Sequence, residues 1–226
     1  MKVSVIIPTY MEEDYISDTL EHLQDQTIPF DEIIIVDAAS TDETVSLASD
    51  IADNIIILEE RGISLGRNVG AKESSGDILA FVDADTWVSR RLCQTIKTEF
   101  TDPDLVVGVT KYLGSKANIT TDFVYWCINI IAKISSRFRK PQFAGFCLVC
   151  RKSAFDEVGG FDEARMAGED INLTGRLSKL GKTKILNIYS VTSSRRFEKH
   201  GPLSIVKYLL TLWGSIFFDH NYTEIR

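Results

Sequence analysis

Short apolar runs separated by helix-length amphipathic stretches restrict the fold of this chain more than any other feature. Val3–Ile7, stopped by Pro8, is followed by Asp14–Gln26 with Ile16, Leu20 and Leu23 at helical spacing, and then by the β-branched run Glu32–Val36. A strand period, a helix period and a second strand period specify a βαβ unit. The pattern continues with a helix over Thr41–Ile51, capped by Ser40 or Thr41, a strand over Ile55–Leu58, a helix over Ser64–Ser74 and a strand over Ile78–Val82. Strands that are apolar on both faces and joined by helices form a mainly parallel sheet covered on both sides, with right-handed crossovers. After residue 100 the order loosens: Leu105–Tyr112 reads as a strand or hairpin, Thr121–Phe138 as a long apolar helix, Gly145–Arg151 as a strand and Gly168–Lys179 as a helix. The expected class is α/β, Rossmann-like, with a smaller second region.

In open α/β sheets ligands lie beyond the carboxyl ends of the strands, so the residues after each run form the candidate site. These are Pro8, Thr9, Tyr10 and Glu12, then Asp37 to Ser40, the loop from Arg61 to Asn68, and Asp83-Ala84-Asp85. Two carboxylates at i and i+2, ending a buried strand, suit a hard divalent ion such as Mg²⁺ or Mn²⁺. Such an ion takes one or two protein carboxylates and fills its other positions with water and phosphate oxygens. Asp-x-Asp also serves in turns and helix caps, so its weight comes from its neighbours. Neither G-x-G-x-x-G nor G-x-x-x-x-G-K-[ST] follows the first strand, which sets aside dinucleotide and P-loop chemistry. The three histidines, His22, His200 and His220, accompany no Ser–His–acid arrangement at a nucleophile elbow.

A net charge of -7 and a pI near 5.1 exclude a nucleic-acid binder that relies on a broad basic surface. Lys2–Pro8 lacks the apolar core and cleavage site of a signal peptide, so the expected location is the cytoplasm. Cys93, Cys127, Cys147 and Cys150 sit in apolar or helical surroundings and read as unpaired core thiols. Cys147 and Cys150, three apart on a strand, point to opposite faces, and no second Cys or His pair completes a zinc set.

Five ordered motifs resemble the GT-A fold glycosyltransferases of family 2. Val3–Glu12 is similar to their first strand and P-T-Y/N-x-E loop, and Ile35–Thr44 to their V-D-D/G-G/S-S-x-D-x-T segment. Gly66–Ala71 with Ser75-Gly76-Asp77 resembles the stretch before the D-x-D motif, which is Asp83–Asp85 here. Gly159–Asp162 and Gly168–Leu173 resemble the G-G-F-D and E-D motifs of the acceptor half. The resemblance covers residues 2–200 and implies one GT-A domain over 1–226. Its parts are a nucleotide-sugar-binding half over 1–100, an acceptor half over 101–200 and an apolar C-terminal helix over 201–226.

By that resemblance the donor is a UDP- or GDP-linked sugar. Asp37 accepts a hydrogen bond from the nucleotide base; Pro8, Thr9, Tyr10 and Glu12 shape the base and ribose pocket. Asp83, next to Ala84, reaches the ribose or a metal-bound water, and Asp85 binds Mn²⁺ or Mg²⁺. Arg67 is either a diphosphate contact or a solvated helix residue. Asp170, with Glu169 as the near alternative, is the general base of an inverting transfer; the same acids also suit a helix start. Arg195, Arg196 or Lys199 clamps phosphate and His200 ligates metal, or the segment is a solvated basic turn. The Q-x-x-R-W motif of processive polysaccharide synthases is missing, which favours transfer of a single sugar.

Two apolar stretches, Phe123–Ala132 and Leu203–Phe218, are too short or too interrupted for a convincing membrane span and fit core, dimer or interfacial helices. The basic residues after the first leave two acceptors open, a sugar hydroxyl and a polyprenyl-phosphate or other lipid-linked acceptor met at the inner membrane face. A nucleotide-sugar-binding protein without catalysis is the reading from another class. A sugar-nucleotide pyrophosphorylase would need a Gly-rich basic loop where Pro8-Thr9-Tyr10 stands.

Overall fold

A computed structural model of the chain describes residues 1–115, 119–137, 141, 143–165 and 167–195. The chain runs through β1 (Val3–Thr9), α1 (Ile16–Gln24), β2 (Glu32–Asp37), α2 (Thr44–Ala48), β3 (Asn54–Ile57), α3 (Ile63–Glu73) and β4 (Ile78–Val82). It continues through β5 (Thr86–Val88), α4 (Leu92–Glu99), β6 (Leu105–Gly114), α5 (Ile119–Arg137), β7 (Cys147–Arg151), α6 (Lys152–Glu157), α7 (Glu169–Leu177) and β8 (Lys182–Thr192). The strands form one sheet in the order β3-β2-β1-β4-β7-β6-β8-β5.

Strand alternation explains the unbroken apolar runs. Val3, Val5 and Ile7 of β1 pack on one face with Ile16, Leu20 and Leu23 of α1, whereas Ile6 packs on the other face with Ala71 of α3. In β4, Ile78, Ala80 and Val82 face the first layer and Leu79 and Phe81 the second. Each such side chain removed from water contributes about 1.5–3 kcal/mol, so both faces of the central strands drive the fold. α3 lies especially close to β1, because a Cβ at Gly70 would collide with Ile6 and press on Val36. That proximity brings the first turns of α3 to the strand ends.

β1 to β4 pair in parallel, as the βαβ pattern requires. β7 then enters antiparallel between β4 and β6, β6 pairs in parallel with β8, and β5 adds antiparallel to β8. β6 is a single strand, not a hairpin. The helix expected over 41–51 shrinks to α2, and neither Ser40 nor Thr41 caps it. Ser40 instead directs its N–H and hydroxyl to Asp37, and the chain turns there before the helix starts. Cys147 and Cys150 lie in the two opposite core layers, and both, like Cys93, are buried and unpaired. Among the described residues no helix is long and apolar enough to cross a membrane. The stretch 201–226 lies outside the described residues.

Candidate active site

The acidic tripeptide after β4 is pinned through its backbone. The N–H of Asp83 donates to the carbonyl of Phe146 (3.1 Å), Ser193 N–H donates to Asp85 O (3.0 Å), and Thr19 Oγ1 donates to Ala84 O (2.7 Å). Asp83 and Asp85 border a cavity of about 180 Å³ whose walls include Pro8, Glu12, Ile63, Ala84, Phe146 and Arg195. Each acid has its own guanidinium.

Arg195 Nε is ion-paired with Asp85 Oδ2 (2.9 Å), its Nη2 donates to Glu12 Oε1 (2.6 Å), and its guanidinium carbon lies 4.6 Å from the centre of the Tyr15 ring. Arg67 Nη2 donates to Asp83 Oδ1 (2.7 Å) and its Nη1 to Glu169 Oε1 (3.1 Å). The two pairs differ in setting: the Arg195 side chain is 37% exposed and the Arg67 side chain 2%. Desolvation works against both charges, and the neighbouring carboxylates outweigh it, so both guanidinium groups stay protonated. The solvated-helix reading of Arg67 is therefore overturned: α3 turns this face inward, onto the Phe161 ring 5.1 Å away.

α7 begins on Gly168, whose φ of 70° and missing side-chain cap leave Glu169 and Asp170 as the acids of its first turn. Asp170 Oδ1 accepts the N–H of Ile171 (2.7 Å). Desolvation in the cleft and the adjacent Glu169 carboxylate push the Asp170 carboxyl up to about 7, against the opposing pull of Arg67 and the N–H groups of Ile171 and Gly145. Asp170 keeps part of its surface exposed, which a proton acceptor requires. Gly145 permits this crowding: a Cβ there would stand 3.2 Å from Asp170 Oδ2 and 3.3 Å from Arg67 Nη2.

Asp37 is fully enclosed rather than on the cavity wall. It accepts hydrogen bonds from Thr9 Oγ1 (2.8 Å), Ser40 N–H (2.7 Å) and Ser40 Oγ (2.6 Å), tying the loops after β1 and β2 together. Met11 and Ala39 in those loops adopt φ of 54° and 55°, a left-handed conformation that costs a non-glycine residue about 1–2 kcal/mol. Tyr10 is exposed at the rim with the Arg61 guanidinium 4.0 Å from its ring centre. Arg196, Lys199 and His200 lie outside the described residues.

No sequence pattern assigns a role to Tyr15, to the stacking of Arg61 or, within the motif that contains it, to Asn68. Asn68 clasps Phe161 through both main-chain groups, Oδ1 accepting its N–H (2.8 Å) and Nδ2 donating to its carbonyl (2.9 Å). The adjacent Arg-Asn dipeptide was the available signal.

The donor set fits a divalent ion. Asp83 and Asp85 offer hard carboxylate oxygens to the cavity, and the buried Oε2 of Glu12 has no hydrogen-bond partner. Mg²⁺ or Mn²⁺ takes one or two such carboxylates and fills its other positions with water and phosphate oxygens. Among the described residues no group of three or more His, Cys, Asp or Glu side chains is placed to hold a metal ion.

A parallel βαβ half whose fourth strand ends in an acidic pair, continued by β7, β6, β8 and β5 in one mixed sheet, is the architecture of the GT-A class of glycosyltransferases. Residues 4–159 match the family model for Glycosyl transferase family 2, and the chain belongs to that family. It is 28% identical over 199 residues to the O-antigen chain rhamnosyltransferase RfbN of Salmonella typhimurium, covering 80% of this chain and 62% of that protein. The chain thus spans less than two thirds of that relative's length. S. aureus TarS 1-349 in complex with UDP-GlcNAc superposes with a TM-score of 0.70 at 21% identity, over 94% of this chain and 66% of that one. The mannosyltransferase PcManGT from Pyrobaculum calidifontis, in complex with GDP-Man and Mn2+, superposes with a TM-score of 0.69 at 23% identity, over 84% and 56%.

Proposed function

We propose that this chain moves a single sugar from a nucleoside-diphosphate sugar to a hydroxyl acceptor, with inversion and with the help of Mn²⁺ or Mg²⁺. The observation that carries this reading is a buried arginine, Arg67, that joins the acidic strand end at Asp83 to Glu169, the neighbour of Asp170 in the first turn of α7. Asp170 takes the proton of the acceptor hydroxyl as its oxygen bonds to the anomeric carbon, and the bond from that carbon to the diphosphate oxygen breaks. Asp85, with Asp83, would hold the ion. The chemistry such an ion would supply is neutralisation of charge on the departing diphosphate, so that no separate general acid would be needed.

Arg195 forms the exchangeable pair, because a partly exposed ion pair is worth little and opens readily. With Asp85 and Asp83 holding an ion, Arg195 would be the cation placed to donate to the diphosphate instead. Asp37 acts on the base pocket by fixing Thr9 and Ser40, with Tyr10 at its rim. The ligands named for TarS and PcManGT, UDP-GlcNAc and GDP-Man with Mn2+, support a nucleotide-sugar donor and a divalent ion.

A lipid-linked acceptor is favoured by one observation. Phe123 and Trp126 are exposed and stacked, with ring centres 5.9 Å apart, and Lys133 and Arg137 are exposed further along α5. Such a stripe suits an interfacial helix.

Calorimetric titration of UDP and GDP, with and without Mn²⁺, on the wild type and Asp85→Ala tests the donor site. Binding of one nucleotide that needs Mn²⁺, weakened at least about tenfold by the substitution, is the expected result. Absence of binding by either nucleotide refutes the transferase reading.

A further inference from the structure

We propose that Arg67 is a positioning residue for transfer: it bridges the donor-side carboxylate Asp83 to the acceptor-side Glu169, and so holds the Glu169–Asp170 turn at a set distance from the strand end. The proposal rests on the transferase reading above for its purpose, and on geometry for its content.

The Arg67 fork is used in two directions, 2.7 Å to Asp83 and 3.1 Å to Glu169, and its side chain is almost wholly enclosed. Both of its terminal nitrogens are committed, which leaves it badly placed to grip a diphosphate. The next residue repeats the job: Asn68 clasps Phe161, so two consecutive residues of α3 hold the two acceptor-half motifs. Phe161 in turn lies under the Arg67 guanidinium. A planar fork can serve two carboxylates at once, whereas an ammonium cannot reproduce both directions.

Asp170 is the group whose setting depends on this bridge. It is faced by Glu169 on its own helix, by Arg67 from α3 and by the Gly145 N–H from the segment before β7, with Asp83 behind the arginine. Removing the guanidinium leaves three carboxylates in one cleft with no buried cation between them.

The test follows the Asp170 carboxyl by carbon-13 NMR from pH 5 to 9, assigned with Asp170→Asn, in the wild type, Arg67→Met, Arg67→Lys and Gly145→Ala. Calorimetry of UDP and GDP with Mn²⁺ runs on the same proteins. Arg67→Met is expected to raise the Asp170 midpoint by at least about one unit, a tenfold change in proton affinity. Arg67→Lys, which keeps the charge but not both directions of the fork, should restore only part of that shift. If Arg67→Met does not fold, Gly145→Ala decides, because its methyl group separates Asp170 from the guanidinium and should also raise the midpoint. An unmoved midpoint in folded Arg67→Met, or in Gly145→Ala where Arg67→Met does not fold, overturns the proposal, as does nucleotide binding lost in Arg67→Lys with the midpoint at its wild-type value. Failure of the wild type to bind either nucleotide refutes the transferase reading instead, and the titration still reports on the bridge.

Discussion

Asp170 links the chemistry of the site to stability through its proton. Because desolvation and Glu169 raise its carboxyl from 3.8 to about 7, the native chain keeps a proton that the unfolded chain has released between those values. Its contribution to stability is therefore full below pH 4 and is lost as pH rises through 7. Asp170→Asn removes the penalty, so its melting temperature should exceed the wild type by a few degrees at pH 8 and by much less at pH 5; equal differences at both pH values would contradict the raised carboxyl. At this scale the sequence showed the acids but not their partners. Asp83 and Asp85 stand out as a local pattern after an apolar run, and Asp170 through a family resemblance. The pairing of each strand-end acid with an arginine joins residues 83 and 67, and 85 and 195, and no local pattern reports contacts between such separated positions.

α3 shows how an element delivers residues to a site. Its inner glycine, Gly70, lets the helix sit against β1, and that seat places Arg67 and Asn68 against Glu169 and Phe161. Gly70→Val should destabilise the fold by about 1–3 kcal/mol through overpacking against Ile6 and Val36, read by urea unfolding. The same variant should disturb the clasp on Phe161, seen as altered backbone NMR shifts there; wild-type stability would show that the helix has room to spare. Elements with a strong period were readable: β4 spans the expected run Ile78–Val82. α2 was overestimated because Asp37 captures Ser40, and β8 was passed over although Leu186, Ile188, Ser190 and Thr192 alternate inward. Its lysines and asparagine mask an apolar run, since its other face is solvated.

For the whole molecule, the parallel half followed from the βαβ rhythm, while the entry of β7 between β4 and β6 did not, because antiparallel insertion leaves no mark on periodicity. That insertion bears on how such enzymes can be recombined. The strand carrying the acidic pair has β1 from the first half on one side and β7 from the second on the other. A hybrid that joins residues 1–100 of this chain to the remainder of a relative would thus give β4 a foreign neighbour. Such a hybrid should melt well below one that also retains this chain's residues 144–152, a comparison that thermal scanning of the two makes directly; equal melting temperatures would show the seam to be tolerant. The two parts of the chain are consequently not interchangeable cassettes, because β4 and β7 share one line of backbone hydrogen bonds across the seam.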